Sequence, residues 1–213
     1  YDPTPQQMIQ VGRSVAYLQI GHIGFELAWM DKIRENNPKL TFFDTSEGFN
    51  LLKETAEEHD HGHDAHDHDA HAGEGTHHHH HHGGVDPHIW SSIAGAKAIA
   101  WNTLNAFIAL DPDNTDYFWQ NYNKLSDEID KTDAEIKKLL DPLTDRTFII
   151  YHPALTYFAN EFNLTQLCIE MDGKEPSPAQ LKQLVETARA NNARVVFIQQ
   201  EFDQKNAELI ARE

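Results

Sequence analysis

An α/β fold with two lobes of mainly parallel sheet flanked by helices is predicted by three features of this 213-residue chain. Short apolar runs rich in β-forming residues alternate with segments of helical periodicity in both halves. A long amphipathic segment, residues 114–140, separates the halves and is predicted to be a spine helix that joins the lobes. The alternation favours parallel sheets, because neighbouring parallel strands need a crossover connection.

The first half is predicted to contain two strands and two helices. A strand over residues 15–20 is followed by apolar residues at helical spacing over 23–33, which end at an Asn-Asn-Pro sequence. A second strand is predicted at 39–44. A helix is predicted over 91–110, where an Asp-Pro-Asp sequence terminates it.

The predicted spine helix has the strongest periodicity in the chain. Its apolar residues recur three, four or seven positions apart, namely Tyr117, Phe118, Tyr122, Leu125, Ile129, Ile136 and Leu140. A helix of roughly 27 residues would measure about 40 Å at the usual rise of about 1.5 Å per residue. Pro142 is expected to end it.

The second half repeats the alternation of strands and helices. Ser177 and Pro178 form a helix start, with Ser177 as the N-cap and Pro178 at the first helical position. The elements predicted here are a strand at 147–151, a helix at 154–162, a strand at 167–169, a helix from 178 to 191, a strand at 194–199 and a last helix that Asp203 caps.

These elements suggest three units. We predict an N-terminal α/β lobe over residues 1–112, the linking helix over 113–142 and a C-terminal α/β lobe over 143–213. The chain begins at Tyr1 without an initiator Met and stops at Glu213 inside a predicted helix. We therefore expect a processed or incomplete chain in which both lobes are truncated.

Composition excludes several classes of protein. The net charge of −17 argues against nucleic acid or an anionic membrane surface as a partner, because both repel carboxylates. The single cysteine, Cys168, excludes a disulfide within the chain and a zinc site built on cysteine pairs. No run of 18 consecutive apolar residues occurs, so no membrane-spanning helix is predicted.

A histidine tract over residues 59–82 is the most unusual feature. It contains twelve of the fifteen histidines: His59, His61, His63, His66, His68, His71, His77, His78, His79, His80, His81 and His82. Such a polar segment cannot form a core, but neutral imidazoles bind divalent cations, so we predict several weak metal sites. The last six could instead be an engineered tag, although their mid-chain position and the preceding His/Asp stretch favour a native metal-collecting segment.

Three histidines lie outside the tract. His152 directly follows the strand at 147–151, and ligands of open α/β sheets bind beyond the carboxyl ends of strands. By position alone, His152 is either a metal ligand or a satisfied structural histidine. His88 follows Asp-Pro at the start of a helix, and the presence of His88 and the histidine tract favours the prediction that His88 and His152 bind a metal ion together. His22, which follows the first strand, is either a further metal ligand or a histidine that lines the cleft.

Acidic residues follow the predicted strand at 167–169. Glu170, Asp172 and Glu175 are expected either to orient a ligand histidine or to form a solvated acidic loop. Glu26, on the first predicted helix, is expected to lie on the helix surface or at a contact between lobes.

Three short motifs resemble a known family. They are YDPTP at residues 1–5, DPHIW at 86–90 and YHPALTYF at 151–158. In order along the chain, they are similar to those of the metal-binding solute-binding proteins of zinc and manganese ABC importers, the ZnuA/TroA-like family. The separation of His88 and His152 and the position of the histidine tract before DPHIW also resemble that family.

The resemblance implies four ligand segments and a site between two lobes. The second segment matches His88 and the third matches His152, whereas the first would precede Tyr1 and the fourth, an acidic residue, would lie beyond Glu213. The cargo expected from the resemblance is Zn²⁺, with Mn²⁺ or another divalent ion as the alternative. The expected partner is a membrane permease, with no nucleic acid involved.

The resemblance further implies a monomeric, non-enzymatic binder that is periplasmic or lipid-anchored on the outer face of the cytoplasmic membrane. An adhesin-like role, known for some relatives, is compatible with it. A metal-storage or chaperone protein that uses the histidine tract is the main alternative. A zinc hydrolase is disfavoured, because the chain contains neither His-Glu-x-x-His nor Gly-x-Ser-x-Gly.

Overall fold

The computed structural model describes residues 2–53, 84–170, 176–199 and 205–212. Its helices are α1 (Pro5–Gly12), α2 (Gly24–Asn36), α3 (Ile93–Leu110), α4 (Thr115–Leu140), α5 (Thr156–Glu161), α6 (Pro178–Ala190) and α7 (Lys205–Arg212). Its strands are β1 (Ala16–Gln19), β2 (Thr41–Asp44), β3 (Thr147–Ile150), β4 (Thr165–Cys168) and β5 (Val196–Phe197). The histidine tract and the predicted cap Asp203 lie outside the described residues.

The strands form two parallel sheets, one on each side of α4 in the chain. In the first sheet β1 pairs with β2, with Ala16 opposite Thr41. In the second sheet the order is β4-β3-β5, and both pairs are parallel. The predicted α/β class with parallel sheets and a long helix is therefore confirmed, whereas the lobe boundaries at 112 and 142 stay a prediction.

The second sheet is covered by apolar side chains on both faces. Ile149 and Leu167 belong to a buried cluster that also contains residues of α6 and α7. Phe148 and Ile150, which alternate with Ile149 along β3, pack with Ala159 of α5 on the other face. Burial on both faces is the usual environment of a parallel sheet, and it explains the continuous apolar run of this strand.

Helix α4 extends over 26 residues and packs against α3. Their facing apolar side chains, among them Phe107 and Leu125, line an open cavity of about 580 Å³. Within the part of the chain described, α3 alone is long and apolar enough to span a membrane by length and composition. We assign α3 to the packed fold for two reasons. It packs against α4, α5 and β2, and the polar side chains of Lys97 and Asn102 interrupt its apolar sequence.

Some predicted elements differ from the structure. Helix α1 was not predicted, although Thr4 and Gln7 form a capping box and Pro5 occupies the first helical position. The strand expected at 194–199 contains only two residues, and the helix expected from 154 begins at Thr156. Ser177 caps α6 as predicted, because its side chain accepts a hydrogen bond from the Gln180 backbone.

Candidate metal site

The side chains of His88 and His152 converge, although they lie 64 residues apart in the chain. Their ring centroids are 5.3 Å apart and the ring planes are inclined by 71°. His88 immediately precedes a 3-10 turn over Ile89–Ser91, and His152 lies two residues beyond the end of β3. The His88 side chain is 18% exposed and that of His152 34%, so both rings are partly open to a small ion.

Each imidazole is held by a carboxylate at the same ring nitrogen. The Nδ1 atom of His88 lies 2.7 Å from Oδ1 of Asp86, and Nδ1 of His152 lies 3.0 Å from Oε2 of Glu170. A carboxylate can only accept at this position, so both contacts favour the tautomer with a proton on Nδ1. In this tautomer the lone pair of each ring lies on Nε2, the nitrogen through which an imidazole oriented in this way binds a metal ion.

Parallel strand pairing explains the contact between His152 and Glu170. Ile150 of β3 is opposite Cys168 of β4, and each functional residue follows its strand end by two positions. The backbone continues this pairing, because the Ile169 and Glu170 amides donate to the Ile150 and Tyr151 carbonyls. The predicted role of Glu170 in orienting a ligand histidine therefore has a geometric basis.

Asp86 is buried, with 4% exposure, and its carboxylate makes two contacts with His88. Its Oδ1 also accepts a hydrogen bond from the His88 backbone amide at 2.9 Å. Burial alone would raise the pKa of Asp86, but hydrogen bonds from the His88 side chain and amide and from Thr156 outweigh it and lower the pKa below its usual value. Asp86 is therefore an anionic partner of His88 at neutral pH.

The backbone of His152 is held by the side chain of Gln199. The His152 amide donates to Oε1 of Gln199 at 3.4 Å, and Nε2 of Gln199 donates to the His152 carbonyl at 3.0 Å. Sequence analysis missed this contact, since no local pattern links residues 47 positions apart. It also missed the role of Asp86 as the partner of the His88 ring. The position of Asp86, two residues before His88, was the signal that could have revealed this role.

His22 lies apart from this pair in the contacts of the described residues. It is exposed and adopts a left-handed backbone conformation (φ 59°) next to Gly21 (φ 76°). The expectation that Glu26 lies on the helix surface is wrong, whereas a position at a contact between lobes stays a prediction. Glu26 is 5% exposed and accepts hydrogen bonds from the Ile20 and Gly21 amides, so it fixes the turn that carries His22.

The remaining predicted site residues belong to two other segments of the chain. Asp172, Glu175 and all histidines of the tract lie outside the described residues. Across residues 2–53, 84–170, 176–199 and 205–212, no group of three or more His, Cys, Asp or Glu side chains is arranged to hold a metal ion. The described part of the chain therefore supplies two imidazole donors, each oriented by a carboxylate.

Comparison with known proteins gives a consistent result. The family model described as zinc-uptake complex component A, periplasmic (ZnuA), matches residues 1–213. A high-affinity zinc uptake system protein ZnuA of Bacillus subtilis is 26% identical over the whole chain, which covers 64% of that protein. A manganese ABC transporter substrate-binding lipoprotein PsaA of Streptococcus mitis is 23% identical over the whole chain, which covers 65% of it.

A solved structure is also similar. A crystal structure of ZnuA superimposes with a TM-score of 0.82 and is 33% identical, with all of this chain and 72% of that chain covered. The chain spans less than two thirds of the length of the two curated relatives, the ZnuA protein of Bacillus subtilis and the PsaA protein of Streptococcus mitis.

Proposed function

Because the chain belongs to the ZnuA family of periplasmic zinc-uptake complex components, we propose that it acts as the metal-binding component of an ABC importer. In this role it captures a divalent cation and delivers it to a membrane permease on the outer side of the cytoplasmic membrane. It works as a monomeric binder and not as an enzyme. The relatives that match the whole chain are named for zinc or manganese uptake, which supports this class of cargo.

The observation that carries the proposal is the convergence of His88 and His152, with ring centroids 5.3 Å apart. Imidazole nitrogens bind Zn²⁺ at about 2.0–2.1 Å, and two rings this close can share one ion. The carboxylates of Asp86 and Glu170 orient the rings and strengthen them as donors, as is usual around bound zinc. A tetrahedral site needs two further donors in addition to these described residues.

We propose Zn²⁺ as the cargo. Two imidazoles favour a borderline cation, whereas Mn²⁺ is better served by carboxylate, carbonyl and water oxygens. Mn²⁺ is the alternative cargo, because one of the similar proteins is named for manganese. His22 belongs to the proposal only as a cleft residue, since its exposed turn favours that role over a ligand role.

Calorimetric titration tests this site directly. Zn²⁺ and Mn²⁺ are added separately to the unmodified protein and to the variants His88→Ala, His152→Ala and His22→Ala. We expect one tight Zn²⁺ equivalent that is lost in the first two variants and kept in the third, with weaker binding of Mn²⁺. Tight binding that survives both His88→Ala and His152→Ala would exclude this site.

Metal storage is a second candidate function, favoured by the twelve histidines of the tract. Many weak imidazole sites would raise the local metal concentration without a defined coordination geometry. In the importer role the tract is an accessory that collects cations near His88 and His152. Stoichiometry separates the two functions: one tight equivalent supports the importer component, and many equivalents of similar affinity support storage.

A further inference from the structure

The hydroxyl of Tyr157 joins two distant segments of the chain. Tyr157 lies on α5 and is 4% exposed. Its hydroxyl donates to the Asp86 carbonyl at 2.7 Å and accepts from the Leu52 amide at 2.9 Å. Its ring packs near Phe49, with centroids 5.6 Å apart. Both hydrogen bonds are made by main-chain groups, so the contact depends on the backbone path of these segments.

Leu52 and Asp86 are also bonded to each other. The Asp86 amide donates to the Leu52 carbonyl at 2.9 Å, next to an antiparallel bridge between Lys53 and Val85. Together with Tyr157, these residues form a closed cycle in which each one donates one hydrogen bond and accepts one. Such cycles reinforce each member, and loss of one member leaves buried polar groups without partners.

The cycle continues to the metal ligand His88. The main chain of Asp86 is fixed by Tyr157 and Leu52, while its carboxylate contacts Nδ1 and the amide of His88. The direction of the His88 ring is therefore determined by α5 through Asp86.

The cycle also continues to His152. His152 lies five residues before Tyr157, in the turn between β3 and α5. Gln199 fixes the main chain of His152 at the other side of this turn. A displacement of Asp86 relative to α5 would therefore change the separation of the two imidazoles.

We propose that Tyr157 is a positioning residue of the metal site, which sets the distance between His88 and His152 by joining Asp86 and Leu52 to α5. This inference rests on the proposed function, because it assumes that both histidines bind one ion. Tyr157 itself does not contact the ion.

The first test replaces Tyr157 by Phe, which keeps the ring and removes only the hydroxyl. We expect the Kd for Zn²⁺, measured by competition with a chromophoric chelator, to rise about 10-fold, at the low end of the losses seen for groups that orient metal ligands. Tyr117→Phe on α4, where the side chain is 62% exposed, is the matched control and should leave the Kd unchanged. A Tyr157→Phe protein with an unchanged Kd, beside a His88→Ala protein that binds poorly, overturns the inference.

A double-mutant cycle separates positioning from general stability. Tyr157→Phe is combined with Asp86→Asn, and the Zn²⁺ affinities of the four proteins are compared. If Tyr157 acts through Asp86, the combined loss is smaller than the product of the two single losses. A combined loss equal to that product means that the two residues contribute independently, and the inference is then wrong.

Hydrogen exchange tests the inference without any substitution. One equivalent of Zn²⁺ is added to the unmodified protein, and amide exchange is followed by mass spectrometry. We expect slower exchange of the Leu52 amide, since its acceptor is fixed more firmly when both histidines are held. If His88 and its neighbours become protected while Leu52 does not, the inference fails; if no protection occurs at either histidine, the proposed function fails instead.

Discussion

At the scale of single residues, two carboxylates determine which nitrogen of each imidazole would face a metal ion at the proposed site. Asp86 and Glu170 occupy the Nδ1 side of His88 and His152, so Nε2 is the nitrogen that each ring would present to an ion at the proposed site. The His88 backbone amide holds the Asp86 carboxylate, and the Tyr151 carbonyl holds the backbone of Glu170, so the rings would need little reorganisation on binding an ion. The negative charge beside each ring also strengthens the nitrogen as a donor.

Replacement of Glu170 by Gln should weaken zinc binding without disturbing the fold. The amide keeps an oxygen that accepts from Nδ1 of His152 but loses the charge, and such changes lower metal affinity about 10–100-fold. Chelator competition at constant pH measures the effect. Glu208→Gln on α7, where the side chain is 58% exposed, is the matched control and should bind as the unmodified protein does. Equal affinity of the Glu170→Gln protein would mean that this carboxylate does not support the ligand.

Sequence reasoning found the histidines because each stands at an informative local position. His152 follows a clear apolar strand, and His88 follows an Asp-Pro pair at a helix start. Gln199 could not be found in this way, because its contact with His152 depends on how the sheet places β5 beside β3. Glu26 was misjudged for a similar reason: only the folded turn after β1 brings backbone amides to its carboxylate.

At the scale of secondary structure, the site depends on strand register and on one close helix contact. The pairing of β3 with β4 places His152 and Glu170 side by side, and a shift of one residue would turn one side chain to the opposite face. On the other side, the 3-10 turn after His88 lies directly against the start of α3. Gly95 of α3 is buried there, because the Ile89 carbonyl occupies the space beside it.

The substitution Gly95→Ala should therefore both destabilise the protein and weaken zinc binding. A Cβ atom at this position would overlap the Ile89 carbonyl oxygen, so the turn must move. We expect the free energy of unfolding in urea to fall by about 1–3 kcal/mol, as for other overpacked sites. Because Ile89 follows His88, the Kd for Zn²⁺ should rise as well.

Gly24→Ala is the matched control for this prediction. Gly24 begins α2, and a Cβ atom there would meet nothing within 4 Å. Alanine favours a helix over glycine by up to about 1 kcal/mol, so this variant should be as stable as the unmodified protein or slightly more so. If Gly95→Ala behaves like Gly24→Ala, the contact between α3 and the turn is looser than described.

Local signals predicted most elements, and the failures have physical reasons. Ser177 was identified as a helix cap because its capping interaction involves only neighbouring residues. Helix α4 was found because its apolar stripe repeats along nearly all of its 26 residues. The expected strand at 194–199 is reduced to Val196 and Phe197, since β-propensity cannot reveal how far the neighbouring strand continues the pairing.

At the scale of the whole molecule, contacts of α5 join the parts of the chain that carry the two histidines. Besides Tyr157, Glu161 accepts hydrogen bonds from the Ile93 and Ala94 amides at the start of α3, at 2.8 and 3.3 Å from the nearer oxygen. These bonds satisfy helix-terminal amides that would otherwise need water. The surroundings of the site are therefore fixed from both sides, while the net charge of −17 favours the approach of cations.

Deletion of residues 59–82 should remove weak metal binding and leave the tight site unchanged. Asp86 and Leu52 are hydrogen-bonded, and Lys53 is bridged to Val85, so the described residues on either side of the tract are already adjacent. The shortened connection therefore leaves Asp86 and His88 in place. Calorimetry with Zn²⁺ should show fewer weak equivalents and one tight equivalent of unchanged Kd, whereas the same deletion combined with His88→Ala should abolish the tight equivalent. If the tight equivalent disappears with the tract alone, the histidines of the tract form the main site, and storage becomes the better account of this protein.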